Sequence, residues 1–339
     1  MNRASRLFRT NPLLSASTLG TSGVVASAFW IEYRSERSGL THLPRDYDFQ
    51  AINEYWLNRP VSSIARFAKI FRELAPVSWA YVRDFKLSSP STEEESVALQ
   101  IQHAAALREA LTELGPAFVK GGQQLSIRPD LVSPAVLREL QKLCDAVRPI
   151  PDEIAMEVIR KELHVERVED VYSDLDMVAS ASLGQVYRGV RRSTGECVAV
   201  KVQRPDMRRS FSLDLFLLQK FGVAVDAFTS VCTNQPPFHS ALYESFSKGS
   251  YLELDYCQEA NNQQMFQREL TARKCKVIIP NVHEDLTTER ILTSEWVDGI
   301  KLADASRERI QQLIPVGVEL FLTQLLDLGR FHCDPHPGM

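Results

Sequence analysis

Cysteine is scarce in this chain and shows no pairing pattern. The six copies, Cys144, Cys197, Cys232, Cys257, Cys275 and Cys333, include no Cys-x-x-Cys spacing, which excludes a disulfide framework and a zinc site and leaves reduced thiols in a reducing compartment. A charge bias is lacking too. Lys and Arg number 39 against 43 Asp and Glu, a net charge of -4, which gives no argument for a nucleic-acid partner. No segment repeats. With 44% hydrophobic and 24% charged residues over 339 positions, the chain is not disordered and has room for two domains or one large two-lobed domain.

Acidic residues are missing before Glu32, and residues 10–31 carry no charge at all. Arg3, Arg6 and Arg9 recur at helical spacing among frequent Ser and Thr, the composition of an organelle-targeting segment. Ala26-Ser27-Ala28 before Phe29 is an A-x-A-like cleavage site and resembles the bipartite plastid presequence of some algae. A mitochondrial presequence fits the arginines equally well. A membrane span is the third reading, weakened by Ser, Thr and Gly in a run that barely reaches the roughly 20 residues a span needs.

What is present reads mostly as helix. Ile64, Phe67, Ala68, Phe71 and Leu74 mark one amphipathic helix. The linker Ser88-Ser89-Pro90-Ser91-Thr92 ends in a cap, Thr92 or Ser91, for a helix opening with Glu93, Glu94 and Glu95. Val97, Ile101, Ala104, Leu107, Leu111, Leu114 and Phe118 continue it as one buried stripe, which Gly115-Pro116 kinks or divides. A short helix follows over 152–163. The pattern changes after Asp170: residues 177–202 are β-rich, with a turn at Ser193-Thr194-Gly195-Glu196. Helix returns at 211–230 and, past Thr233-Asn234-Gln235-Pro236-Pro237, over roughly 238–270. Strands are expected at 278–280 and 290–296, a turn at Asp298-Gly299, and an apolar helix over 310–328 interrupted by Pro315. The layout is α+β.

Several runs carry chemistry. Ala179-Ser180-Ala181-Ser182-Leu183-Gly184 lies between two expected strands, where small residues let backbone N–H groups approach phosphate oxygens; taken alone it reads first as an ordinary hairpin of small residues. Val198-Ala199-Val200-Lys201 suits a buried strand that aims an ammonium at phosphates. Glu253, Asp255 and Glu259 sit in the expected 238–270 helix and send carboxylates in two directions, or form a solvated acidic face. Lys120-Gly121-Gly122-Gln123 ends the long helix, its glycines serving close packing or a C-cap. At the C-terminus, His332, Asp334 and His336 alternate; Pro335 and Pro337 restrict the backbone, and no further ligand cluster is evident, so a metal triad is discounted.

Taken in order, these runs resemble the UbiB, or aarF-domain, family of atypical kinases, over roughly residues 47–338. Lys120 to Gln123, Ser126 with Arg128-Pro129-Asp130, Ala179 to Tyr187, Val198 to Lys201, Glu253-Leu254-Asp255 with Glu259, Ala260 and Asn262, and His332 to Gly338 carry the resemblance. Tyr47 to Leu87, with Asn58-Arg59-Pro60, is similar to the cyanobacterial and plastid branch. The resemblance implies a two-lobed protein-kinase-like α+β fold with an N-terminal helical extension. Its expected parts are a targeting presequence over 1–31, the extension over 32–165, an N-lobe over 166–300 and the start of a C-lobe over 301–339.

The same resemblance implies ATP and Mg²⁺ as cofactors. Lys201 would bind the nucleotide phosphates and pair with Glu259, and Ala179, Ser180, Ala181, Ser182 and Gly184 would form the family's alanine-rich loop. Lys120 and Gln123 would enter the nucleotide cleft and meet Glu253 and Asp255, and Asp334 would be the catalytic-loop acid. It further implies an ATPase or kinase serving isoprenoid-quinone or prenyl-lipid metabolism, with membrane lipid or quinone-pathway proteins as partners, in a plastid or, alternatively, a mitochondrion. Met339 stands where the family has its metal-binding Asn, and no Asp-Phe-Gly follows. The expectation is therefore a truncated C-lobe, with a non-catalytic nucleotide- or partner-binding module or a non-functional fragment as the alternatives, and an apolar face at Val318, Phe321, Leu322 and Leu325 left without packing partners.

Overall fold

The computed structural model describes residues 12–39, 42–130, 132–144, 148–233, 236–300 and 302–331. Over these, eleven α-helices accompany one four-stranded antiparallel sheet of order β1-β2-β3-β4. The chain clusters into two compact units, each drawn from two stretches: Met1–Val147 with Asp206–Leu252, and Arg148–Pro205 with Glu253–Met339. A contiguous division of the sequence has no way to express that interleaving.

The first unit is helical. It contains α1 (Pro12–Ser38), α2 (Phe49–Leu57), α3 (Pro60–Val82, continued by a π-helical turn Arg83–Leu87), α4 (Glu93–Leu114), α5 (Pro116–Ser126), α6 (Pro134–Gln141), α8 (Met207–Cys232) and α9 (His239–Leu252). α7 (Asp152–Leu163) belongs to the second unit. Thr92 caps α4, its hydroxyl accepting from Glu95 N–H, while the Glu95 carboxylate accepts from Ser91 N–H at 2.8 Å. Gly115, at φ +96°, separates α4 from α5 as the sequence suggested. The expected stripe is half buried: Ala104, Leu111, Leu114 and Phe118 enter the core, whereas Val97 and Ile101 lie exposed.

The apolar side of α3 also faces outward, at Ile64, Phe67 and Phe71. The opposite side of α3 carries Arg66 to Asp214 on α8. Glu32 on α1 accepts the Val61 and Ser62 N–H groups at the start of α3, where the helix dipole favours a carboxylate. Among the described residues α8 is the one helix long and apolar enough to cross a membrane. It buries Phe211, Leu215 and Phe216 beside Asp214 and Asp226 inside its own unit, while Phe221, Val223, Phe228 and Val231 are exposed.

The second unit is built on β1 (Tyr172–Ser180), β2 (Gly184–Arg191), β3 (Cys197–Gln203) and β4 (Ile291–Glu295). Val198, Val200 and Val202 point from β3 into a core shared with Ala155, Val158 and Ile159 of α7, and with Tyr172, Tyr187 and Ile291. The opposite face meets α10 (Tyr256–Ala272) through Tyr256, Ala260 and Leu292. The period-2 alternation of β3 thus places one row against each helix. α11 (Arg307–Leu322) completes the described elements and runs on through Thr323–Leu328 to Gly329 at φ +61°.

Three expectations change. The helix over 238–270 is two helices, α9 and α10, because Asp255 caps the second one. Residues 278–280 form no strand; the side chains of Gln267 and Gln263 satisfy the Ile279 and Pro280 carbonyls instead. Pro315 does not interrupt α11, which passes through it. The apolar side chains Val318, Phe321, Leu322 and Leu325 on this last helical stretch are exposed.

Candidate functional site

Lys201 lies on β3 opposite Val186 of β2 and Leu292 of β4. Its neighbours Val200 and Val202 face the α7 core, so the ammonium emerges on the α10 side. Glu259 stands in the first turn of α10 and takes the ammonium on both carboxylate oxygens, at 2.8 and 2.7 Å. Tyr256, three residues earlier and therefore on the same helical side, lays its ring under the ammonium, 4.7 Å from Nζ to the ring centre. The pairing anticipated in the sequence is present, and an aromatic residue that local motif reading missed completes it.

The 181–183 hairpin joins β1 to β2 beside this pair. Ala179 and Ser180 end β1, Ala181 and Ser182 lie in the turn, and Gly184 opens β2. Ala181 N–H donates to Gly184 O at 2.8 Å. Gly184 is required by close approach, since a Cβ there would collide with the Val202 carbonyl and stand 2.6 Å from the Tyr256 hydroxyl. That hydroxyl is fully buried, and burial raises its pKa well above the ordinary phenol value. It has no hydrogen-bond partner. Arg204, one residue past β3, donates to Ser180 Oγ at 2.9 Å and to the Ala181 carbonyl from both Nε and Nη2.

Buried amides brace the surroundings. Gln185 accepts from Ile150 N–H and donates to Tyr187 Oη at 2.8 Å, and Tyr187 in turn donates to Asp152 at the start of α7. Burial, with the Asp152 bond, raises the Tyr187 pKa. Gln203 donates to Leu254 O at 2.9 Å, which fixes the link between α9 and α10. Neither glutamine carries a local signal in the sequence; each is recognised only once the strand register shows it facing a backbone group.

The other expected site residues are distributed differently. Glu253 lies in the link before α10 rather than within a helix, and Asp255 accepts the Cys257 N–H as N-cap. Lys120 and Gln123 lie in the middle of α5 in the first unit, so the glycines between them form no C-cap. Gly122 serves packing, since a Cβ there would strike the Leu143 and Leu111 side chains. Gln123 donates to Leu143 O. Asp334 and the rest of the 332–339 run, as well as the Arg3, Arg6 and Arg9 stretch, lie outside the described residues.

A partly exposed ammonium held on two oxygens beside a hairpin of small residues is an arrangement that can take an anionic oxygen. Among the described residues no group of three His, Cys, Asp or Glu could hold a metal ion. The profile of the ABC1 atypical kinase-like domain matches residues 142–339, more than half of the chain. The chain belongs to the ABC1 atypical kinase-like family.

Its ABC1 relatives are of cyanobacterial and plastid type. Protein ACTIVITY OF BC1 COMPLEX KINASE 3, chloroplastic, of Arabidopsis thaliana is 39% identical over 244 residues, covering 70% of this chain and 34% of that protein. An uncharacterized protein of Synechocystis is 36% identical, covering 93% of this chain and 47% of its own length. An uncharacterized aarF domain-containing protein kinase, chloroplastic, of Arabidopsis thaliana is 34% identical, covering 95% and 46%. The chain thus spans between about a third and a half of these ABC1 relatives.

Proposed function

We propose that this chain is the ATP-binding part of an atypical kinase or ATPase of the plastid. The observation that carries the reading is the two-oxygen Lys201–Glu259 pair beside the 181–183 hairpin. Held on Glu259 and stacked on Tyr256, Lys201 is preorganised to meet the α- and β-phosphates. The hairpin supplies backbone N–H groups to the same phosphates, and its small side chains leave them room to approach. Mg²⁺ brought in with the nucleotide would supply charge neutralisation at the phosphates.

The family resemblance extends this reading to residues beyond the pair. Asp334 accepts the proton of the attacking hydroxyl or water, and Lys120 and Gln123 stand at the matching positions of the family's Lys-x-Gly-Gln motif. The plastid address rests on the relatives whose names say chloroplastic; the acid-free, Arg-containing start of the sequence suits an organelle-targeting segment of either a plastid or a mitochondrion. Service to isoprenoid-quinone or prenyl-lipid metabolism at a membrane rests on the resemblance alone.

Thermal-shift titration with ATP tests the reading. A ligand at a hundred times its Kd stabilises by about 2.7 kcal/mol, so ATP should raise the melting temperature of the wild-type chain and leave Lys201→Met unmoved. A wild-type melting temperature indifferent to ATP overturns the proposal. ATP turnover with Mg²⁺, assayed in parallel, separates an enzyme from a module that only binds.

A further inference from the structure

Arg204 is held on the hairpin by neutral acceptors. Its guanidinium is partly buried, yet every bond it makes goes to a neutral oxygen: Arg148 O at 2.8 Å, Ser180 Oγ at 2.9 Å, and Ala181 O at 3.3 Å from Nε and 3.2 Å from Nη2. Among the described residues no carboxylate pairs with it. Its own backbone N–H donates to Leu183 O at 3.0 Å. One residue therefore grips the hairpin on both flanks, by the Ala181 carbonyl and by the Leu183 carbonyl, and leaves Ser182 at the tip.

The consequence follows from peptide geometry. The peptide group is planar and trans, and none here is cis. The Ser182 N–H therefore lies on the opposite edge of the peptide whose Ala181 carbonyl turns to Arg204. The Gly184 N–H is likewise opposed to the Leu183 carbonyl. Holding the Ala181 carbonyl inward turns the Ser182 donor outward, whereas the Gly184 N–H shares the edge of the Gly184 carbonyl that accepts from Ala181 and stays within the hairpin.

We infer that Arg204 is a positioning residue, fixing the 181–183 hairpin so that the outward Ser182 N–H at its tip is preset for the phosphates of a nucleotide. This rests on the reading of Lys201 as a phosphate ligand. In place of glycines that let a loop mould itself around phosphate, this hairpin has one arginine that sets its shape before the ligand arrives. The buried Tyr256 hydroxyl under Gly184 supports it from beneath. The uncompensated guanidinium also adds positive charge where phosphate charge would collect.

The test compares the wild-type chain with Arg204→Gln and Arg204→Lys in two measurements. Hydrogen exchange read over residues 180–184 should quicken in Arg204→Gln while β3 stays protected. Calorimetric titration should show about a tenfold loss of ATP affinity with adenosine affinity unchanged. Arg204→Lys should recover neither, because a single ammonium cannot span Arg148, Ser180 and Ala181 as the guanidinium fork does. Wild-type exchange and wild-type ATP affinity in Arg204→Gln would overturn the inference, as would full recovery of ATP affinity in Arg204→Lys, which would reduce the role to bare charge.

Should Arg204→Gln fail to fold, Ser180→Ala removes one acceptor and leaves the arginine in place. Faster hairpin exchange with about a twofold loss of ATP affinity supports the clamp, and no change in either rejects it. A wild-type chain that binds no ATP refutes the nucleotide reading itself. ATP binding lost in Lys201→Met but kept in Arg204→Gln refutes only the role of Arg204.

Discussion

Gly184 and Tyr256 stand so close that a Cβ on the glycine would lie 2.6 Å from the tyrosine hydroxyl and closer still to the Val202 carbonyl oxygen. The neighbour that would have to yield is strand backbone, which moves only with the sheet. Gly184→Ala is therefore expected to destabilise the protein by about 1–3 kcal/mol, the range of overpacked cores. Tyr256→Phe should do the opposite or nothing, because the hydroxyl it removes is buried without a partner and costs desolvation in the native state. Urea unfolding of both variants checks this pair of signs. A destabilised Tyr256→Phe beside a neutral Gly184→Ala would contradict it.

Arg66 and Asp214 join α3 to α8 inside the helical unit. Arg66 Nε and Nη2 reach the two carboxylate oxygens at 2.6 and 2.8 Å, and Nη2 also donates to Leu114 O at the end of α4. Only 3% of the Asp214 side chain is exposed. Arg66→Met strands a buried carboxylate and is expected to cost about 3–5 kcal/mol. The double variant Arg66→Met with Asp214→Leu removes both charges and should recover most of that loss. Chemical denaturation of the two variants decides, and a double variant no better than the single one sinks the explanation.

Much of this layout was legible because local chemistry and tertiary structure agree. Thr92 with Glu95 announces a helix start, Gly195 a turn, and the valines around Lys201 a strand with one polar side chain turned outward. The break between α9 and α10 was not legible, since Tyr251 to Tyr256 contains no Gly or Pro and keeps its apolar spacing. Asp255, which passes for one more acid of the helix, caps the second piece, and remote groups fix the break: Gln203 takes the Leu254 carbonyl and the Glu289 carbonyl accepts the Tyr256 N–H at 3.0 Å. Arg204 and Tyr256 escaped for the same reason. Each looks like an ordinary residue next to a motif, and only the fold shows one gripping the hairpin and the other lying under Lys201.

The Lys201–Glu259 pair should be valuable for geometry and cheap in stability. Both side chains are partly exposed, 27% and 41%, so solvent screens the attraction and the contribution is at most about 1 kcal/mol. A double-mutant cycle of Lys201→Met and Glu259→Gln is expected to give a coupling within that bound. A coupling of several kcal/mol would mark the pair as a structural element of the second unit rather than a poised site.

Asp226 gives the fold its clearest response to acid. From α8 it accepts the N–H groups of Ser240, His239 and Phe238 at 2.9, 3.0 and 3.2 Å, together with a contact to the His239 ring at 2.9 Å. It thus caps the start of α9 from a neighbouring helix. The bonds from Ser240, followed by those from His239, hold its carboxyl well below the usual carboxylate range. A carboxyl with a depressed native pKa binds fewer protons folded than unfolded. Its contribution is complete above the unfolded value of about 3.9 and is lost as pH falls through the native one. Asp226→Ala should therefore lower the melting temperature at neutral pH. Its difference from wild type should narrow progressively once pH drops below about 4. Melting curves of both proteins from neutral to strongly acidic pH test this, and a gap that stays constant throughout would show that the carboxylate charge plays no part in holding α9.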